Sequence, residues 1–549
     1  MSMDIRHVVG VVVLGLLVAA AAETPSSLPR AQSQTPRAGV EEELLGEVGA
    51  GTRVNIRDGR PTIAFAVSLD GRRVAWTEKH GNLSVLVNGQ PLGPAFEDVL
   101  SAPMWSLDGA HVAYQAKRAG KVVAVRDGEV VGGTYEQITG LDFSFDGRLV
   151  WVGWRNKECM LVVDGQEGPA AFRDVSRPLL GPGGKRIALA VRTQDGWQMV
   201  VDSVAGPVHA VIGGVPWTKW TKSGWLLPYR LPWASFSADG TRFSYVARPP
   251  EWTLVIDGKV EASSALVSPA IFSPDGKRYA YVTVAQGDRK RLGRVVVDGK
   301  AGPIFEEREI QGASMSDVQW PISHGGVLGY EVRGDLNWGG VTWPHFSRDG
   351  QHVVYAGRRS KTATDIMLDG TPVPGLGLEA VVAGPSFGPN GQVVALGWVK
   401  DKGKARIVEI VDGKSVRSFP SEAGMNFAES GTFSPDGSRV AYVLGLGGVL
   451  YMENPSGGIR AQRRVVVDGV EGTTYNAYGL TDLSWSPDGK SLAYRVHGNS
   501  DGRSFVVLNG QEGPTYDQVL DWLLVDREGR AVYVVRAERR LLRVTQKPR

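Results

Sequence analysis

Cysteine is nearly missing: Cys159 is the only one in the chain, so an intramolecular disulfide and a cysteine zinc cluster are both excluded. Neither sign of charge is in excess, with 61 Lys and Arg against 58 Asp and Glu and a formal net charge of +3. The two signs interleave, leaving no basic stripe of the kind that follows a phosphate backbone, and nucleic acid is not an expected partner. After Ala22 the mature chain offers no span for a bilayer, which takes about 20 apolar residues. Helical periodicity is also lacking, because Asp-Gly and Asn-Gly pairs interrupt every candidate helix. No Gly-x-Ser-x-Gly elbow occurs, and no α/β domain could carry one. The eight histidines are scattered, none paired at metal-ligand spacing. His345 and His352 bracket a single hairpin, where a core or surface role is expected. These absences leave no convergent catalytic set, no cofactor and no metal, and the sequence reads as a non-enzyme.

Several features are present in strength. Arg6 and His7 precede an apolar run from Val8 to Ala22 that ends in small residues, the layout of a secretory signal peptide. Residues 1–22 are therefore expected to direct export to the periplasm or outside the cell, with an uncleaved anchor as the alternative. Residues 23–43, rich in Pro, Ser and Gln at their start, read as a flexible linker. At the other end, Arg536 to Arg549 is locally basic and reads as a solvated tail.

Between these ends two short motifs alternate. One is Phe272-Ser-Pro-Asp-Gly276-Lys-Arg-Tyr-Ala-Tyr281, with close copies beginning at Trp105, Phe143, Phe236, Phe346, Phe433 and Trp485. Pro sets the φ of the second turn position, Asp can bond its own backbone, and Gly accepts a left-handed conformation. The other is Val295-Val-Val-Asp298-Gly299-Lys-Ala-Gly302-Pro303, a β-branched strand running into a two-residue hairpin turn. One copy of each supplies about four short strands. The step from Asp70 to Asp108 to Asp146 is 38 residues, close to the roughly 40 of a four-stranded propeller blade. The fold class expected is therefore all-β, a β-propeller of repeated four-stranded blades.

Phe-Ser-Pro-Asp-Gly followed by a basic residue and Ala-Tyr resembles the WD-like repeat of the TolB propeller family, and repeats in the propellers of tricorn-type and prolyl-oligopeptidase-type peptidases. The resemblance implies the fold and, by analogy, an envelope-protein partner. The Gly-Pro half of the second motif matches no characterised member.

About ten repeats exceed the usual four to eight blades, and two tandem rings are expected: residues 44–231 with about five blades and residues 232–549 with about seven. In that scheme the strands of Leu44 to Ile56 complete a blade begun by Trp217 to Tyr229. One oversized ring closed by the two termini is the alternative. The spacing breaks between Pro207 and Asp239 and between Pro303 and Asp349, and both breaks are rich in tryptophan. Trp217, Trp220, Trp225, Trp320, Trp338 and Trp343 are the candidate partner-binding residues, since Trp is enriched where proteins meet. Packing between blades is the competing explanation. The function expected is a non-catalytic scaffold for a protein or peptide partner. The rival is a propeller enzyme or glycan-binding protein with its site at the axial pore.

Overall fold

The computed structural model describes residues 39–548 outside 214–233, 309–339, 447–460 and a number of stretches of one to five residues. The expected leader, 1–22, lies outside the described residues, as does most of the linker. No α-helix occurs among the described residues, and no helix among them is long and apolar enough to cross a membrane.

Both turn motifs form as their chemistry requires. In the first, Gly276 N–H donates to Ser273 C=O at 2.9 Å, and Ser273 Oγ donates to Asp275 Oδ1 at 2.6 Å. Gly276 takes a φ of 69°. In the second, Asp298 and Gly299 both have positive φ, 49° and 75°, the type I′ geometry whose twist matches that of the flanking strands. Asp tolerates this conformation because its carboxylate finds local partners: Asp298 Oδ1 accepts Tyr279 N–H at 2.9 Å.

Twelve hydrogen-bonded sheets result among the described residues, eleven blades and one two-stranded hairpin, Val54–Arg57 with Arg60–Ile63. Each blade is an antiparallel meander. Blade 2, for example, runs from Asp98–Val99 and Met104–Trp105 through Val112–Arg118 and Lys121–Arg126 to Glu129–Tyr135. First strands of successive blades approach within 8 Å, as Ala66–Val67 of blade 1 does with both Met104–Trp105 and Gln518–Val525. First strands therefore line the axis and fourth strands form the rim.

The blades make one ring, which is the alternative stated above and replaces the expected pair. Position 231 falls inside a blade, because Val211–Ile212 and Ala234–Phe236 pair with the same strand, Phe243–Arg248. That blade, the fifth, packs on the fourth through one core in which Ala190 and Met199 meet Ile212, Phe243 and Tyr245. The ring closes where Val40–Glu47 pairs with Arg540–Gln546 as the outer strand of blade 11. Leu44 thus joins the C-terminal blade rather than one built from Trp217 to Tyr229, and linker positions 40–43 belong to the ring. The basic C-terminal stretch is a strand, not a tail: Leu541, Leu542 and Val544 are buried, with the exposed Arg540 and the half-buried Arg543 among them.

The Gly-Pro half of the second motif has a structural reason between blades. A Cβ on Gly302 would stand 2.9 Å from Tyr355 Oη of the next blade and 2.9 Å from Val295 O. Gly513 is placed the same way against Tyr533 Oη, at 3.1 Å. The aromatic that follows Gly-Pro then meets that tyrosine edge to face, Phe305 with Tyr355 at 6.3 Å and Tyr516 with Tyr533 at 6.4 Å. Burial pushes the hydroxyls of Tyr245, Tyr355 and Tyr494 up to about 12. A phenol free in an unfolded chain ionises near pH 10. Each such tyrosine therefore lends stability that is complete below about pH 10 and lost as pH rises through about 12. The urea midpoint is expected to fall steeply across that window, with tyrosinate absorbance rising together with unfolding. Full tyrosinate absorbance from a chain that stays folded would contradict the interlock.

Candidate functional site at the axial opening

The inner strands that line the axis are not regular. In four blades a hydroxyl interrupts the ladder and takes a carbonyl's place: Ser101 Oγ accepts Gln115 N–H at 2.9 Å, Ser176 Oγ accepts Ala190 N–H at 2.9 Å, Ser268 Oγ accepts Val282 N–H at 2.9 Å and Thr342 Oγ1 accepts Ala356 N–H at 2.8 Å. The backbone is thereby satisfied while the strand bulges toward the axis. Sequence reasoning missed these bulges, although their signal is visible as Ser or Thr beside Pro in Ser101-Ala-Pro103, Ser176-Arg-Pro178, Ser268-Pro269 and Thr342-Trp-Pro344.

One rim of the opening is stapled. Both turn motifs of a blade lie at the same end, and the arginine after the first turn links them: Arg278 Nε donates to Asp298 Oδ2 at 2.8 Å. The same guanidinium reaches the backbone carbonyls of Gly350 and Gln351 in the next blade and lies over the Phe346 ring at 5.6 Å. Arg186, Arg242 and Arg439 repeat this arrangement. In two blades histidine stands in for arginine, His111 with Asp127 at 2.6 Å and His352 with Asp369 at 2.7 Å. His352 is therefore a surface partner of a turn aspartate. His345 lies on the inner strand of the same blade, and burial lowers it to about 4.

Eleven blades also set the width of the opening. Sheets pack about 10 Å apart, so eleven trace a circle of roughly 17 Å radius at mid-blade. Inner strands stand about 7 Å nearer the axis, one and a half strand spacings, and about 5 Å of side chain inside them leaves a bore of about 10 Å.

Of the six tryptophans singled out by sequence, five lie outside the described residues: Trp217, Trp220 and Trp225 within 214–233, and Trp320 and Trp338 within 309–339. Trp343 is half-buried on the inner strand of blade 7 and packs on the core shared by blades 6 and 7. Trp76 and Trp151 are fully buried blade-core residues. The first break is an insertion within the inner strand of blade 5, between Val211–Ile212 and Ala234–Phe236, and the second lies between the outer strand of blade 6 and Gly340 ahead of blade 7. No group of three or more His, Cys, Asp or Glu among the described residues is placed to hold a metal ion. Cys159 is buried, and its thiol is pushed up to about 12, chiefly by burial, which removes it from nucleophilic chemistry.

The ring of blades defines the class: a β-propeller of eleven blades. No protein-family model matches the sequence, and no curated protein matches it. Among solved structures it is similar to TolB from Acinetobacter baumannii, at 17% identity and a TM-score of 0.19, over 44% of this chain and 61% of that one. It is also similar to the Dos1 propeller, at 11% identity and a TM-score of 0.23, over 75% of this chain and 92% of that one. A structure of prolyl endopeptidases matches at 14% identity and a TM-score of 0.28, over 66% of this chain and 54% of that one. These values carry no argument about function.

Proposed function

We propose that this chain is an exported, non-catalytic propeller scaffold that holds a protein or peptide partner at its axial opening. The observation that carries the reading is the character of the inner strands. Exposed or half-exposed residues there are mostly small or apolar, such as Leu100, Ala102, Thr139, Ser235, Ile271 and Leu524. The inner-strand carboxylates Asp98, Asp142, Asp174 and Asp482 stand on four different blades, whereas a catalytic pore would bring such groups together around one reacting atom. Asp482, an exposed inner-strand carboxylate, is held by Arg495 at 2.8 Å, an arrangement suited to fixing the wall. Export rests on the apolar run from Val8 to Ala22.

One experiment tests both parts. A tagged full-length chain is produced in the source organism with a photocrosslinking residue at Ala102 of the opening or at Val470 of the rim. The envelope-fraction product is expected to begin near Glu23 and to crosslink a partner from Ala102 only. A full-length cytosolic product would overturn export. Crosslinks only from Val470, or none, would overturn the site.

A further inference from the structure

Ten blades take their fourth strand from the chain directly after the third. The two strands are joined by a two-residue turn of Asn or Asp with Gly or Ser, both at positive φ, from Asn88-Gly89 in blade 1 to Asn509-Gly510 in blade 10. Blade 11 has no such turn. Its third strand, Arg540–Gln546, is covered instead by Val40–Glu47 from the other end of the chain. That strand is held by its contacts and by the link from Val48 to blade 1, which opens with Gly49-Ala-Gly51. Small residues of this kind can absorb the backbone change of a hinge.

The seat of the strand is selective, and its contacts define what it takes. Val40 packs on the core that holds Tyr516 and Tyr533. Leu45 and Val48 are buried against Leu520, Val534 and Leu541. Tyr516 Oη donates to Glu42 Oε1 at 2.8 Å, while Glu41 and Glu43 pair with Lys547 and Arg543. The register shifts between Leu44 and Gly46, and Gly46 has no room for a side chain. A Cβ there would stand 2.8 Å from the Asn88 carbonyl carbon and 3.0 Å from Gly89 N, in the turn of blade 1. A strand that fits must therefore place a leucine directly before a glycine, with acidic residues ahead of them. A second copy of this chain supplies that segment.

We propose that blade 11 is a strand-accepting site, and that it takes Val40–Glu47 of another copy in exchange for its own. Reciprocal exchange closes a pair with two-fold symmetry and leaves neither seat empty. The contacts of the seat are all kept in the exchanged pair. What changes is the link, where Thr52 Oγ1 donates to Gly49 C=O at 2.7 Å. A short flexible link is equivalent to a local concentration in the millimolar range, so exchange grows as the chain concentration approaches about 1 mM. The exchanged pair carries two axial openings in one particle.

The test traps the strand where it sits. One full-length chain carries Glu43→Cys and another Arg543→Cys, positions that face one another across the two strands. Facing Cβ atoms lie about 4.5–5.5 Å apart, near the span of a disulfide. The two chains are mixed at about 0.1 mM, opened in urea, returned to buffer and then oxidised, and a covalent heterodimer is expected in about one chain in ten. Cys159 is buried and stays out of the reaction. With Val470→Cys on the rim in place of Arg543→Cys, the heterodimer should fall at least about fivefold. A peptide of residues 39–49 at about 5 mM, added before oxidation, should lower the yield at least about threefold, and the same peptide with Gly46→Val should not. A heterodimer no more abundant than with Val470→Cys overturns the proposal, as does a yield that both peptides lower equally. A single chain carrying both Glu43→Cys and Arg543→Cys should close its own disulfide at about 1 µM, far below the local concentration of its link. If it does not, the strand is not seated on blade 11 and the proposal falls with it.

Discussion

A chain that begins at Gly49 is expected to lose most of its stability, although all but one strand of the eleven blades remains encoded. Residues 40–48 supply the outer strand of blade 11. Leu45 and Val48 are buried and cover Leu520, Val534, Leu541 and Trp76 at the junction of the last blade with the first. Val48 also exchanges backbone contacts with Arg539, accepting its Nε–H at 2.9 Å and donating its N–H to the carbonyl at 2.6 Å. Two buried apolar side chains contribute about 1.5–3 kcal/mol each, and the surfaces they cover lose a similar partner. Their joint removal approaches the about 5–15 kcal/mol that holds a typical native state. Urea unfolding should show a large fall in midpoint, and limited proteolysis should cut first within residues 518–546. A control separates the strand from its surface charges. Glu41→Ala with Glu43→Ala removes exposed pairs to Lys547 and Arg543 and should leave the midpoint where it was, since such pairs are screened and contribute little. A truncated chain that unfolds at the parental urea concentration would mean that the ring does not depend on this clasp.

The clasp also marks the limit of what could be read from the sequence. Turn chemistry is local, so Ser-Pro-Asp-Gly and Val-Asp-Gly announce hairpins wherever they occur, and each described Gly of these turns has the positive φ they require. Closure is not local. Val40 pairs with Gln546, and a stretch as charged as Val40-Glu-Glu-Glu looks like linker because an outer strand shows most of its length to solvent. Arg540 to Gln546 was legible only in part, since Arg543, Val544 and Thr545 alternate while the adjacent Leu541 and Leu542 break the period. The number of rings was misread for a different reason. The break in spacing between Pro207 and Asp239 reads as the start of a blade at Trp217 to Tyr229, yet the chain leaves the inner strand of blade 5 at Ile212 and returns to it at Ala234. An insertion within a strand and a degenerate repeat give the same spacing. The Gly-Pro motif and the bulge hydroxyls had visible signals without an assignable cause, because the cause of the first, Tyr355 against Gly302, belongs to the next blade. Of the tryptophan candidates only Trp343 falls among the described residues, and it is tied to a core. The opening was legible from fold alone, whereas the meeting of Gln518–Val525 with Ala66–Val67 needed the ring closed.

Gly276→Val is expected to destabilise the chain by about 3 kcal/mol or more, for two separable reasons. The first is backbone strain: at a φ of 69° a β-branched residue is held in a region that L side chains avoid. The second is contact with the neighbouring blade. A Cβ at Gly276 would stand 2.9 Å from Asp239 Oδ1 and 3.0 Å from its Oδ2. That carboxylate cannot swing aside freely, because Ser237 Oγ at 2.5 Å and Thr241 N–H at 3.0 Å hold it. Gly258 provides the comparison, with a φ of 79° and no atom within 4 Å of its missing Cβ. Gly258→Ala should therefore cost strain alone, about 1 kcal/mol, and Gly276→Ala roughly twice as much. Combining Gly276→Ala with Asp239→Ala should recover part of the difference, a non-additivity of at least about 0.5 kcal/mol in a double-mutant cycle read by urea unfolding. Equal costs for the two alanine variants, with an additive cycle, would mean that the turns of adjacent blades do not press on one another. A Gly276→Val chain that melts within a degree of the parent would remove the turn assignment itself.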